Sequence, residues 1–304
     1  MRSKQRGVAV VFAMGVVALA ALAASSILVV QSTWSRESEL NAGHAQAHEV
    51  VQAGIDWARA VLGEDSRTSS VDHAGEPWAL KLTPLPIENG EIAGRLDDQQ
   101  GAFNLNNIVR DGKLSVAQLA HFRRLLGILG LPSMLADALA DWLDADNVVY
   151  SANGAEDDYY LALATPYLAA NRALVDAGEL ALVRGFDASV LARLRPFVTA
   201  LPRYTQINVN TASPEVIAAM VDGLDLDTAR ALVAQRDKTY FRDVADFARR
   251  VPPQLKNRIA DVAVSSDYFM ATVRVTIGRS QASGLALLHR ERFGWPAIVW
   301  RKYS

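Results

Sequence analysis

The chain contains no cysteine. That excludes disulfides, thiol nucleophiles and thiolate metal sites, so a long loop can be braced only by packing or by an oxygen-ligated cation. An excess of either charge is also missing: 31 Lys and Arg stand against 33 Asp and Glu, for a net charge of −2. No global basic field exists to attract nucleic acid, so none is expected as a partner. Catalytic motifs are lacking too. There is no nucleophile elbow, phosphate-binding glycine loop or zinc-protease signature. His44 and His48 are spaced i, i+4 ahead of Glu49, but no third ligand is evident and exposed helix positions explain them. The sequence reads as that of a non-enzyme. One long run, Val8 to Val30, has 23 residues without a single charge.

That run follows directly on a short basic leader, Met1-Arg-Ser-Lys-Gln-Arg-Gly7. Its twelve Val, Ile, Leu and Phe residues favour membrane insertion by about 4–7 kcal/mol. At 1.5 Å per residue it spans about 35 Å, enough for a hydrocarbon core of roughly 30 Å. Arg2, Lys4 and Arg6 lie on one side only, so the positive-inside rule places the N-terminus in the cytoplasm. The remainder then faces the periplasm from a single-pass anchor in the inner membrane. Trp34, Leu40, Val50, Val51, Ile55, Ala58 and Leu62 continue with helical spacing, and Gly63 reads as a stop. A helix from Val8 to Leu62 would be about 80 Å long.

Beyond a polar break at residues 64–76, Trp78 to Ile87 and Glu91 to Asp97 read as a hairpin around Asn89-Gly90. Tyr268 to Ile277, Leu285 to Arg292 and Ala297 to Tyr303 alternate as strands, with turns at 278–284 and 294–296. Helices fit the stretch between. Ser115-x-x-Gln118 forms a capping box, and further helices fit 133–143, 179–183, 188–197, 214–221, 227–235 and 244–249. The fold class is α+β: a long N-terminal helix on an antiparallel sheet, interrupted by a large all-α insertion. The divisions are 1–7 leader, 8–30 membrane part, 31–110 helix continuation and first sheet strands, 111–265 helical insertion, and 266–304 final strands.

Two segments of the insertion carry possible chemistry. Residues 137–158 hold seven carboxylates (Asp137, Asp141, Asp144, Asp146, Glu156, Asp157, Asp158) and no basic residue. Hard oxygen donors in a loop suit Ca²⁺, although the spacing is not that of an EF-hand: counting from Asp144, Val149 stands where glycine is needed. A solvated acidic surface is the bland alternative, with Asp137 and Asp141 on the exposed face of the preceding helix. Residues 207–247 resemble a helix-hairpin-helix module, opened by Ser213 and Pro214. Its hairpin is Gly223-Leu224-Asp225, flanked by Asp222 and Asp227. Carboxylates where phosphate would sit oppose DNA binding, and Arg230, Arg236, Lys238 and Arg242 read as surface decoration.

The order of leader, glycine and apolar helix resembles a type IV prepilin signal, since an ordinary secretory signal is cut after its apolar region. The resemblance implies that prepilin peptidase cuts between Gly7 and Val8 and that Val8 is then N-methylated; an uncleaved signal anchor is the alternative. Arg6-Gly7-Val8-Ala9, Gly101-x-Phe103-Asn104-Leu105-Asn106, Asp141-Trp142-Leu143-Asp144-Ala145-Asp146, Gly154-Ala155-Glu156-Asp157 and Asn208-Val-Asn210-Thr-Ala-Ser213 occur in the order seen in the minor pseudopilin K family of type II secretion systems. The resemblance implies a pilin-like fold and a subunit that starts and caps the tip of a periplasmic pseudopilus exporting folded proteins. Its partners would be the I- and J-type minor pseudopilins and the major pseudopilin, with secreted proteins or the outer-membrane secretin as further contacts. It also implies structural calcium at Asp144, Asp146, Glu156 and Asp157, with Asp141, Asn147, Asp158 and Asn171 as weaker ligands. Pilins generally carry glutamate as the fifth mature residue; here that place is Phe12. A carboxylate in lipid needs a partner, and a tip subunit has no further subunit to receive. A minor subunit of a type IV pilus or DNA-uptake machine is the alternative reading.

Overall fold

The computed structural model describes residues 5–291 and 294–304. Met1 to Lys4 of the expected leader lie outside them, and Gly7 and Val8 enter only as helix backbone. Helix α1 runs unbroken over Gln5–Thr68. Its first part is apolar and bare, long and apolar enough to cross a membrane, with Phe12, Leu19, Leu22 and Ile27 exposed. Further along the pattern changes. Ala47, Val51, Ile55, Ala58 and Leu62 are buried at helical spacing, forming one face that packs on the rest of the chain. Gly63 does not end the helix as expected. Asp65 in the next turn is buried against Arg290, which holds the extra turn in place, and the helix closes where Ser69 N–H reaches the Asp65 carbonyl.

Strands β1 (Leu82–Ile87) and β2 (Gly90–Asp98) follow. The chain then forms β3 (Phe103–Asn104), β4 (Val109–Arg110), β5 (Lys113–Leu114), α2 (Val116–Ile128), α3 (Leu135–Leu143), α4 (Asp157–Leu161), α5 (Ala188–Leu194), β6 (Val198–Thr199), β7 (Ile207–Asn208), α6 (Pro214–Met220), α7 (Leu226–Arg236), α8 (Val244–Arg250) and β8 (Val262–Ala263). It finishes with β9 (Tyr268–Ile277), β10 (Ser280–His289) and β11 (Ala297–Tyr303). One antiparallel sheet has the order β1-β2-β9-β10-β11. The chain therefore leaves this sheet after β2 and returns at β9, with the helical block between.

Several local readings shift. Pro77–Ala79 is a 3₁₀ turn instead of strand, because Pro77 fixes φ and the Trp78 indole folds inward to donate to Glu76. The hairpin turns on Glu88-Asn89, not Asn89-Gly90: only Asn89 has positive φ (59°), and Gly90 already pairs with Ile87. Gly90 is needed for a different reason, since a Cβ there would lie 1.9 Å from the Thr276 carbonyl oxygen. The expected loop 278–284 shrinks to Gly278-Arg279. Gly278 adopts φ 55°, and Ser280 and Ala282 are already strand, buried beneath α1. β9 and β11 occupy the expected residues.

α1 lies across β9 and β10, and small residues set its approach. A Cβ on Gly284 would stand 2.4 Å from Val51 Cγ1. Gly284→Ala is expected to cost about 1–3 kcal/mol by overpacking, seen as a lower melting temperature of the detergent-purified chain. Gly127→Ala, where a Cβ meets nothing within 4 Å, should leave it unchanged or raised.

The helical block has its own apolar cluster, and its packing corrects two expectations. The cluster takes in Phe103, Leu105 and Ile108, so it starts ahead of residue 111. Nor is the block all helix: β3 pairs with β6 and β7 with β8, both parallel, and β4 with β5 antiparallel. Residues 179–182 of the expected helix belong to a 3₁₀ segment, Ala177–Leu182, and Val183 follows it in extended conformation. The Ser115 hydroxyl caps α2 through Gln118 N–H, but the Gln118 side chain turns to Asp261 in place of closing the box.

Candidate functional site

The acidic loop joins α3 to α4. Asp144, Asp146 and Glu156 each bring a carboxylate oxygen within 4.8 Å of the others. Glu156 is 3% exposed, yet neither of its oxygens has a hydrogen-bond partner. Asp144 Oδ1, Asp141 Oδ2 and Asn171 Oδ1 are likewise buried and unpartnered. Burial first, and then repulsion from neighbouring carboxylates, pushes Glu156 up to about 7 and Asp144 up to about 6. Asp141 is raised for the same reasons. Five oxygens without donors, four on acids that repel one another and one on the Asn171 amide, form a donor set suited to a hard cation.

The remaining acids do other work. Asp157 Oδ1 accepts the Ala169 N–H, and Asn147 Oδ1 accepts the Asp157 N–H, so both brace the loop. Asn171 is drawn in by donating Nδ2 to the Asp146 carbonyl. Asp158 is exposed. Asp137 and Asp141 do not lie on an exposed face, because every residue of α3 is buried. Asp137 is bonded by Arg123 of α2, Ser151 and Asn153, which lower its pKa against the pull of burial. Compensation for this one acid thus arrives from outside the loop.

The hairpin at 223–225 keeps its carboxylates for itself. Asp225 caps α7 by accepting Thr228 N–H, the kind of helix-terminal donor a phosphate would need. Asp222 pairs with Arg124 and Arg258. Arg236 is not surface decoration: it donates to the Val209 and Ala212 carbonyls and holds α7 against the segment after β7. Arg230 is exposed and paired with Asp227.

A second polar centre was not foreseen. Arg290, 7% exposed, bonds Asp65, Asp72 and the Ser266 carbonyl, with its guanidinium over the Phe269 ring. Asp72 also accepts Ser266 N–H. Asp98 accepts from Asn208, Thr211 and Ser266, tying the end of β2 to the helical block. Asp65, Asp72 and Glu76 come close enough to share a cation, but the guanidinium already serves that role. The sequence signal was present in the twice-used Asn-x-Asn. Asn104 and Asn106 bond the backbone at Leu201, Arg203 and Leu174, and Asn210 pairs with both backbone groups of Phe241.

Comparison with known proteins identifies the family. Two family models for type II secretion system protein K match residues 101–203 and 207–265. The type II secretion system protein K of Pseudomonas aeruginosa is 37% identical, over 99% of this chain and 93% of its own length. That of Klebsiella pneumoniae is 32% identical, over 100% and 98%. Among solved structures, a chain of the GspK–GspI–GspJ complex from the enterotoxigenic Escherichia coli type 2 secretion system aligns at TM-score 0.76 and 26% identity, covering 90% of this chain and 99% of that one. The chain belongs to the type II secretion system protein K family and is a minor pseudopilin of that system.

Proposed function

We propose that this subunit caps the tip of a periplasmic pseudopilus, anchored by α1 in the inner membrane and bound to I- and J-type pseudopilins. The carrying observation is the division of α1 into a bare apolar half and a half packed on the antiparallel sheet β1-β2-β9-β10-β11. The helical block, emerging between β2 and β9, is an insertion in that pilin-like unit. A block of this size is hard to repeat along a tightly wound filament and unobstructed at its end. Phe12, exposed on α1, fits a terminal subunit that needs no carboxylate to receive a further one. Export of folded proteins would follow from growth of the filament beneath this cap. The reading includes structural calcium at Asp144, Asp146 and Glu156, with Asp141 and Asn171 supplying further oxygens. It assigns no catalysis.

Co-expression of the full chain with prepilin peptidase and the other pseudopilins tests it. The purified chain should have the mass of residues 8–304 plus one methyl group, and should carry other minor pseudopilins with it. A chain that keeps residues 1–7 and purifies alone would overturn the reading.

A further inference from the structure

The helical block meets the unit of α1 and the five-stranded sheet along a narrow seam. The apolar clusters of the two share no side chain. The chain crosses between them at 99–102 and at 264–267, and the crossings lie side by side because β2 and β9 are neighbours. Gln99 N–H donates to the Tyr268 carbonyl and Asp267 N–H to Gln100 Oε1, so the two segments form one short paired joint. Such a joint defines an axis about which a block with its own core turns as one body.

On the two sides of that axis the block rests on different kinds of surface. Towards α1 the contact is polar. Asp98 Oδ2 accepts from Asn208 Nδ2, Thr211 Oγ1 and Ser266 Oγ at 3.0, 2.5 and 2.7 Å. Asn208 Nδ2 also lies 3.1 Å from the Asp72 carbonyl oxygen, and the Tyr240 ring stacks on His73 with centroids 4.0 Å apart. Side chains alternate between the faces of a sheet. Leu96 and Phe269 therefore point under α1, while Tyr268 and Met270 point to the opposite face. There the contact is apolar: Leu201 of the block packs with Tyr268 and Leu287, and Met270 and Trp300 lie against them. Asp176 adds an ion pair with Lys302.

The two contacts differ in what opening them requires. On the polar side water takes the place of each hydrogen bond that is broken, so the net loss is small. On the apolar side opening would expose Leu201, Tyr268 and Leu287, each 3% exposed or less, with nothing to offset it. The polar side is therefore the one that opens, and the apolar side is the pivot.

We propose that the helical block is hinged on the sheet and tips away from α1 about the paired crossings, with Asp98 and Asn208 as its latch. The motion belongs to the single chain, so it goes beyond the pseudopilin reading and stands independently of it. At a filament tip it would let the block turn while α1 keeps its place.

Distances between spin labels in the detergent-purified full chain test the hinge, and the absence of cysteine leaves only introduced thiols to label. Glu49→Cys on α1 and Ala234→Cys on α7, both exposed, span the polar contact. The parent pair should give one dominant distance, with an open state below about 10%. Asp98→Leu leaves Asn208, Thr211 and Ser266 without their acceptor and should raise the ratio of open to closed about tenfold. Thr211→Val combined with Tyr240→Ala releases the same contact more gently and should shift the ratio in the same direction, whether or not Asp98→Leu folds. Two further label pairs should keep the parent's distances in these variants. Val116→Cys with Ala234→Cys lies inside the block, and Val175→Cys with Gln281→Cys spans the apolar contact. Folded variants that retain the single parent distance across the polar contact overturn the hinge, because the block is then fixed without its latch. A change inside the block means local unfolding, and a lengthening across the apolar contact means detachment; either overturns it as well.

Discussion

Arg290→Met should lower the stability of the full chain by about 3–5 kcal/mol at neutral pH, the cost of leaving buried carboxylates without their counter-charge. Asp65 and Asp72 are 8% and 2% exposed and both bond this one guanidinium, with Glu76 beside them. Methionine retains much of the side-chain length and can still pack on Phe269, so the loss reports charge more than volume. The pH dependence gives a second readout. Burial, foremost, holds Asp65 and Asp98 up at about 6 and raises Asp72 as well, against an ordinary 3.8. A carboxyl with a raised folded-state pKa contributes stability below its unfolded value, and that stability is lost as pH rises through about 6. Arg290 limits this loss, because it favours the ionised acids. Without it the acids titrate higher still, and the variant suffers most where they must ionise. The deficit relative to the parent should therefore be largest at pH 8 and shrink at pH 5. Thermal melts of parent and variant in detergent at both pH values measure it; a deficit of equal size at each would refute the assignment.

That junction also shows why some of the fold was legible and some was not. Features set by neighbours in sequence could be read. Alternating β-branched residues gave β9 and β11 at their observed ends, and an uncharged run gave the bare half of α1. What escaped depends on partners far along the chain. Gly63 looks like a helix stop until Arg290 binds Asp65, 225 residues away. Nothing next to Asn104 or Asn208 in sequence names their partners, and each bonds groups about a hundred residues distant. The two-residue parallel pairs β3–β6 and β7–β8 have no local pattern at all. The same holds within the acidic loop. Composition marked the segment, but not which acids converge. Asp157 belonged to the expected ligand set, and its Oδ1 is turned to the Ala169 N–H; Asn171, a weaker candidate, presents a buried oxygen with no donor.

Adding Ca²⁺ should raise the melting temperature of the full chain by several degrees, and EDTA should reverse the gain. A ligand present at 100 times its dissociation constant stabilises the folded state by about 2.7 kcal/mol. The loop has reason to respond on this scale. Asp144 and Glu156 stand with unpartnered oxygens close to Asp146, and Asp141 adds another beside them. A divalent ion would satisfy those oxygens and cancel their repulsion, bracing a long segment that no disulfide can tie. Glu156→Gln separates this from an ordinary polar cluster. The amide removes one charge from a site that suffers from too many, so the calcium-free variant should melt at or above the calcium-free parent. It should also lose most of the calcium gain, because it gives up a carboxylate ligand at the buried centre of the site. A purely structural glutamate predicts the reverse: a variant less stable than the parent by the same amount with and without the ion. Calorimetric titration with Ca²⁺ at fixed pH supplies the direct check, and a parent chain that takes up no heat and shows no shift in melting temperature would remove calcium from the proposal.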